Sequence, residues 1–124
     1  MAKQHSPRFL ALVSETKKDI QEIDAQTLKD KLDKQLPMYL IDIREDHEWP
    51  IGHIPTAVHM SKGIIERDIE TKVPNPTTPI IVYCSGGFRC ALVASNLQKM
   101  GYTEVYSLDK GLQGWLDAGY SLVK

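Results

Sequence analysis

The run Ile80-Ile81-Val82-Tyr83 is apolar throughout. It stops at Cys84-Ser85-Gly86-Gly87-Phe88-Arg89, after which apolar residues return at helical spacing. A run this short, rich in β-branched residues and entered from the proline-rich connector 74–79, predicts a buried strand. The glycine pair predicts a tight turn, and the segment from about Arg89 to Met100 predicts a helix that ends at Gly101. A buried strand that feeds a helix calls for parallel partners. That requirement restricts the fold more than any other feature of the chain.

Other segments supply those partners. Tyr39-Leu40-Ile41-Asp42-Ile43 reads as a second central strand covered on both faces. Ile20–Ile23, Ala57–Met60 and Glu104–Leu108 read as further strands. A helix is expected over Pro7–Lys18, with Pro7 in its first turn and Phe9, Leu12, Val13 and Thr16 on one face. A second follows an Asp24 cap, with Leu28, Leu32 and Leu36 sharing a face and Pro37 closing it. Two more are expected over Ile64–Val73 and Gly111–Ala118, the latter with Leu112, Trp115 and Leu116 inward. Strands alternating with helices predict an α/β fold of three layers, a central parallel sheet covered by helices. The expected organisation is an N-terminal helical extension over 1–19 and one domain over 20–124. Ligands of such sheets sit beyond the carboxyl ends of the strands. Loops 44–49, 60–63, 84–89 and 109–111 therefore converge on one crevice.

Composition bears on the partner classes. Fifteen Lys and Arg face sixteen Asp and Glu, and no basic run is interleaved with aromatics, so no nucleic-acid partner is expected. The apolar run Phe9–Val13 is far shorter than a membrane span or a leader core. No membrane partner and a cytoplasmic location are expected. Cys84 and Cys90 make neither a disulfide framework nor a C-x-x-C pair, and no His or carboxylate set has metal-site spacing. No metal or cofactor is expected.

Chemistry concentrates at Cys84. The glycines let successive N–H groups point inward as an anion-binding nest. The following helix adds unpaired N–H groups and its positive end, and Arg89 adds fixed charge. All three favour thiolate over thiol. A free cysteine titrates near ~8.5, and such settings bring it to roughly 4 to 7. Cys84 is thus the expected nucleophile and Arg89 its cation, with Ser85, Gly86, Gly87 and Phe88 forming the loop that holds an anion.

The segment Cys84–Arg89 resembles the active loop of the rhodanese, or thiosulfate sulfurtransferase, family: Cys, three residues ending in Gly, one more, then Arg. Leu40-Ile41-Asp42-Ile43-Arg44-Glu45 resembles that family's strand ending in Asp-x-Arg. Gly52-His53-Ile54-Pro55-Thr56-Ala57 resembles its Gly-His-Ile-Pro-Gly-Ala segment, with Thr56 where glycine is commoner. Leu108-Asp109-Lys110-Gly111 and Trp115 resemble its closing Gly-Gly…Trp segment, with Lys110 replacing the first glycine. The resemblance implies a ping-pong reaction. Cys84 takes sulfane sulfur from a small donor such as thiosulfate, becomes a persulfide, and yields the sulfur to a thiol, a protein or another thiophilic acceptor. Related phosphatases and arsenate reductases space Cys and Arg one residue further apart, making room for a tetrahedral oxyanion. Here four residues intervene, a ring suited to one sulfur atom. A second reading of the same loop is a persulfide carrier or docking module in a protein sulfur relay.

Around the loop, Asp42 ends an apolar strand and so needs pairing, with Arg44, His53 or backbone amides as candidates; its expected role is structural. Arg44, His47, His59, Lys62 and Lys110 either meet an anionic donor or make ordinary loop contacts. Phe88 is a wall beside the sulfur or an anchor of the loop. Arg89 holds the donor's sulfonate or supports the loop. Cys90 is a small packed residue or a resolving thiol.

Overall fold

In the computed structural model, which describes residues 4–124, the chain runs α1 (Pro7–Lys17), β1 (Gln21–Ile23), α2 (Ala25–Asp33) and β2 (Tyr39–Asp42). A 3₁₀ turn at Trp49–Ile51 leads to β3 (Val58–His59), α3 (Ile65–Lys72) and β4 (Ile80–Tyr83). The chain ends with α4 (Arg89–Lys99), β5 (Val105–Leu108) and α5 (Gly111–Asp117). The strands form one parallel sheet in the order β1-β5-β4-β2-β3. All four residues of β4 are buried, as expected of the strand at the centre.

Alternation sorts the core into two layers. Ile41, Ile80 and Val82 pack with Ile65 and Ile69 of α3 and Val93, Ala94 and Leu97 of α4. Leu40, Ile81, Tyr83 and Leu108 pack on the other face with Leu28 of α2 and Leu112 and Trp115 of α5. Strand order reverses between β2 and β4, since β3 lies outside β2 and the chain returns to β4 on its other side. A crevice opens at such a point, beyond Asp42 and Tyr83.

Three helix details differ from expectation. α2 ends at Asp33, before Pro37, because Gln35 turns left-handed (φ +54°) and closes the helix. The Leu36 and Gln35 amides donate back to the carbonyls of Lys31 and Leu32, a Schellman closure that leaves Leu36 exposed. On α1, Val13 is buried whereas Leu12 is exposed. On α5, Leu112 and Trp115 hold the helix to the sheet, and Leu116 points to solvent.

Both departures from the family's glycines sit at strained backbone. Thr56 has φ +73° and Lys110 φ +61°. A left-handed residue with a Cβ costs roughly 1–2 kcal/mol, and a β-branched one is the harder case. Part of any gain from glycine is returned as unfolded-chain entropy. Thr56→Gly is therefore expected to stabilise by about 1 kcal/mol and Lys110→Gly by less, read from urea unfolding midpoints. Destabilisation by both would refute strain at these positions.

Candidate active site

Cys84 continues the alternation of Ile80 and Val82, so its side chain points to the α4 side of the sheet. It is 1% exposed. The backbone turns at Gly87 (φ +91°), and the amides of Gly87 and Cys90 come within 3.3 and 3.4 Å of Cys84 Sγ. Cys90 Sγ lies 3.5 Å from the same sulfur and accepts a 3.0 Å hydrogen bond from Ser107 Oγ. Hydrogen bonding from the Cys90 thiol, joined by the two amides and the Arg89 charge, outweighs burial and brings Cys84 down to about 6. Burial pushes the Cys90 thiol well up, and the Cys84 charge adds to that, so Cys90 stays a protonated donor. Cys90 is thus a packed core residue that also touches the Cys84 sulfur.

The loop's carbonyls point the other way and are held by α5. Leu112 N donates to Cys84 O (2.8 Å) and Gln113 N to Ser85 O (2.9 Å). These amides lie in the helix's first turn and have no partner within it. The approach leaves no space for side chains. A Cβ on Gly87 would lie 2.8 Å from Lys110 N, and one on Gly111 (φ +53°) 2.9 Å from Gly87 N. At Gly86 a Cβ would meet only the Phe88 ring, at 3.3 Å.

Arg89 opens α4, and its guanidinium is paired at Nη1 and Nη2. Nη1 and Nη2 donate to the two carboxylate oxygens of Glu48 (3.0 and 3.3 Å), and Nη2 also to Ser85 Oγ (3.2 Å). Ser85 Oγ donates to Glu48 in turn (3.1 Å). Burial opposes the charge on Glu48, but hydrogen bonds from Arg89, the Glu45 amide and Ser85 hold its carboxyl at about 2. These contacts favour loop support over sulfonate binding for Arg89. Sequence reading missed Glu48 and Ser107. Glu48 lies in a loop already assigned to the crevice, but nothing marks it among its charged neighbours. Ser107 is only a small polar residue in an apolar strand.

Asp42 and Arg44 form a pair at the end of β2. Arg44 Nε lies 3.0 Å from each Asp42 oxygen and Nη2 2.8 Å from Oδ2, while Nη2 also donates to Gly52 O (2.7 Å). Arg44 is 5% exposed and bonded within the fold, which favours the second of its two readings, an ordinary contact, over meeting a donor. His59 is likewise committed, with Nε2 2.8 Å from Arg44 O and its ring stacked 5.1 Å from Trp49. His47 is exposed, and Lys62 is half-buried. The Lys110 stem lies over Gly114 of its own helix. Among the described residues, neither lysine hydrogen-bonds into the Cys84 loop. Phe88 packs on His5 (4.5 Å) and Phe9 (6.3 Å), with Lys17 Nζ 5.7 Å above its ring, and so anchors the loop to α1. Among the described residues no group of three or more His, Cys, Asp or Glu could hold a metal, and no helix is long and apolar enough to cross a membrane.

The model of the rhodanese-like domain matches residues 24–118. The chain belongs to the rhodanese-like family. It is 34% identical over 97 residues to "Putative sulfurtransferase YtwF" of Bacillus subtilis, covering 78% of this chain and 91% of that one. It is 34% identical over 98 residues to a tRNA uridine(34) hydroxylase of Protochlamydia amoebophila, covering 74% of this chain. The chain spans only about a third (31%) of that relative's length. Among solved structures, a Rhodopseudomonas palustris protein of unknown function, described as a possible tyrosine phosphatase, superposes with a TM-score of 0.83. That pair is 25% identical over 99% of both chains. The family's general chemistry is sulfur transfer carried on a cysteine.

Two outcomes follow from this geometry. Alkylation of Cys84 by iodoacetamide is expected to follow a titration centred near pH 6, falling as the pH drops and the thiol reprotonates. Cys90→Ala is expected to move that midpoint up by about one unit and Cys90→Ser to restore it, because a hydroxyl can donate where a methyl cannot. An unmoved midpoint in Cys90→Ala would remove Cys90 from the sulfur's hydrogen bonding. Separately, Gly87→Ala and Gly111→Ala are expected to slow alkylation about tenfold or more, by forcing the loop off α5. Gly86→Ala should stay within about threefold of wild type. Equal effects at all three glycines would sink the close-approach argument.

Proposed function

We propose that this chain is a sulfurtransferase that moves sulfane sulfur from thiosulfate or a persulfide to a thiophilic acceptor through a Cys84 persulfide. What carries the reading is a buried, ionised Cys84 in a ring of four intervening residues, with two amides at its sulfur. The thiolate attacks the donor's outer sulfur. A new S–S bond forms at Sγ, the donor's S–S bond breaks, and its electron pair leaves with sulfite or a thiolate. An acceptor such as cyanide or a thiolate then attacks the outer sulfur and returns Cys84 as thiolate. Amides aimed at the sulfur need no reorganisation as charge moves onto it, which is the economy of a preorganised site.

The phosphatase description of the Rhodopseudomonas structure provides a second reading to weigh. Two features tell against it here. The loop is a residue shorter than a phosphatase loop, and the guanidinium that would hold a phosphoryl group is tied to Glu48. The deciding measurement is intact mass after treatment with thiosulfate, and separately with a small persulfide, in wild type and Cys84→Ser. Gain of one sulfur atom from either donor in wild type alone, removed by cyanide, is the expected result. No gain from either donor, combined with hydrolysis of an aryl phosphate, would reverse the assignment.

A further inference from the structure

Sulfur transfer at Cys84 leaves Glu48 without a chemical part, although its carboxylate is bound at four points to the loop and its rim. Arg89 reaches both oxygens, Ser85 one, and the Glu45 amide one. The two side chains of the ion pair are only 28% and 22% exposed. An oxyanion approaching Arg89 would meet a guanidinium already paired through Nη1 and Nη2 with a carboxylate. The charge balance is also unfavourable to it. With Cys84 ionised, thiolate and carboxylate share a single guanidinium, so these three groups together carry net negative charge. Arg44 is spent on Asp42, and Lys110 is exposed, with no hydrogen bond into the loop among the described residues.

Donors differ in what they ask of such a site. Attack on thiosulfate breaks its S–S bond and releases sulfite, so two negative charges must be accommodated on the leaving group. Attack on a persulfide R–S–SH breaks the same kind of bond and releases R–S⁻, with one. In both cases the outer sulfur ends on Cys84 and the electron pair leaves with the remainder of the donor. We propose that Glu48 is a specificity-determining residue, which neutralises Arg89 toward oxyanions and selects an organic persulfide of low charge as the sulfur source. This selectivity presupposes the Cys84 chemistry proposed above.

The test is the rate of sulfur loading on Cys84, followed by quenched intact mass at low donor concentration. The donors are thiosulfate and the persulfide of 2-mercaptoethanol, whose organic group is uncharged. Wild type is expected to load at least about tenfold faster from the persulfide. Glu48→Gln keeps an acceptor for Arg89 but no charge. It should raise the rate of thiosulfate loading relative to persulfide loading about tenfold. Added salt should accelerate thiosulfate loading in wild type by screening like charges, and that acceleration should vanish in Glu48→Gln. Wild type loading from thiosulfate as fast as from persulfide would overturn the selectivity alone. So would Glu48→Gln slowing both donors in proportion, since Glu48 would then only support the loop. The wild-type donor ratio and salt response stand whether or not the variant is well folded. Loading from neither donor in any form would instead remove the sulfur transfer itself, and the selectivity with it.

Discussion

Two backbones meet where β4 and β5 end, and the geometry at Cys84 rests on that meeting. Carbonyls of Cys84 and Ser85 accept the first-turn amides of α5, at 2.8 and 2.9 Å. With those carbonyls held outward, the Gly87 and Cys90 amides face the sulfur instead. Gly87 and Gly111 are the residues that let the strands of backbone come so close, since a Cβ on either would strike the other segment. One helix terminus thus has its orphan donors satisfied and a loop conformation fixed by the same bonds. α5 need not touch the sulfur to set what the sulfur sees.

The other face of the sheet holds the crevice rim in register with this loop. Asp42 and Tyr83 pair across β2 and β4, one residue before the loops that leave them. Arg44 folds back on Asp42 and reaches Gly52 O, while Tyr83 Oη accepts from the Ile54 amide at 3.1 Å. Those two contacts tie the segment 52–54 to the strand ends. Burying a carboxylate and a guanidinium is stabilising only where the geometry is good and the remaining polar atoms are bonded. Here the pair is doubly bonded, and no described buried side-chain polar atom lacks a partner. Its effect is to set the loop 44–51, and with it Glu48, against Arg89.

How much of this was legible depends on whether a residue's role is local. The four-residue run at Ile80, the Gly-Gly turn and the helix beyond are set by neighbours in sequence, and each reads directly as structure. The parallel sheet follows because such units cannot bury their strands otherwise. Glu48 and Ser107 act across long separations in sequence, on Arg89 and Cys90, and their own surroundings say nothing of it. Asp42's need for a partner was readable, with Arg44 two residues on among the candidates, but the sequence could not choose between that pairing and a contact with an anionic donor. Leu36 and Leu116 obeyed helical spacing and were exposed all the same, since spacing does not tell where a helix stops or which turn meets the sheet.

Burial and ionisation at Cys84 pull in opposite directions, and the balance between them has a kinetic consequence. Water cannot stabilise a thiolate that is 1% exposed, so oriented donors must do it: the Cys90 thiol and two amides, with Arg89's charge behind them. Donors of this kind do not relax away as charge moves from the sulfur to an outer sulfur bonded to it. Lowering a thiol's pKa, however, also lowers the nucleophilicity of its thiolate, so the best attacking thiol titrates near the ambient pH. At about 6, Cys84 is ionised at neutral pH with little nucleophilicity given up. Directing Arg89 wholly at the sulfur would depress it further and weaken the attack. Glu48 pairs with that guanidinium at 3.0 and 3.3 Å, so Arg89 acts on the sulfur through its charge and not as a hydrogen-bond donor.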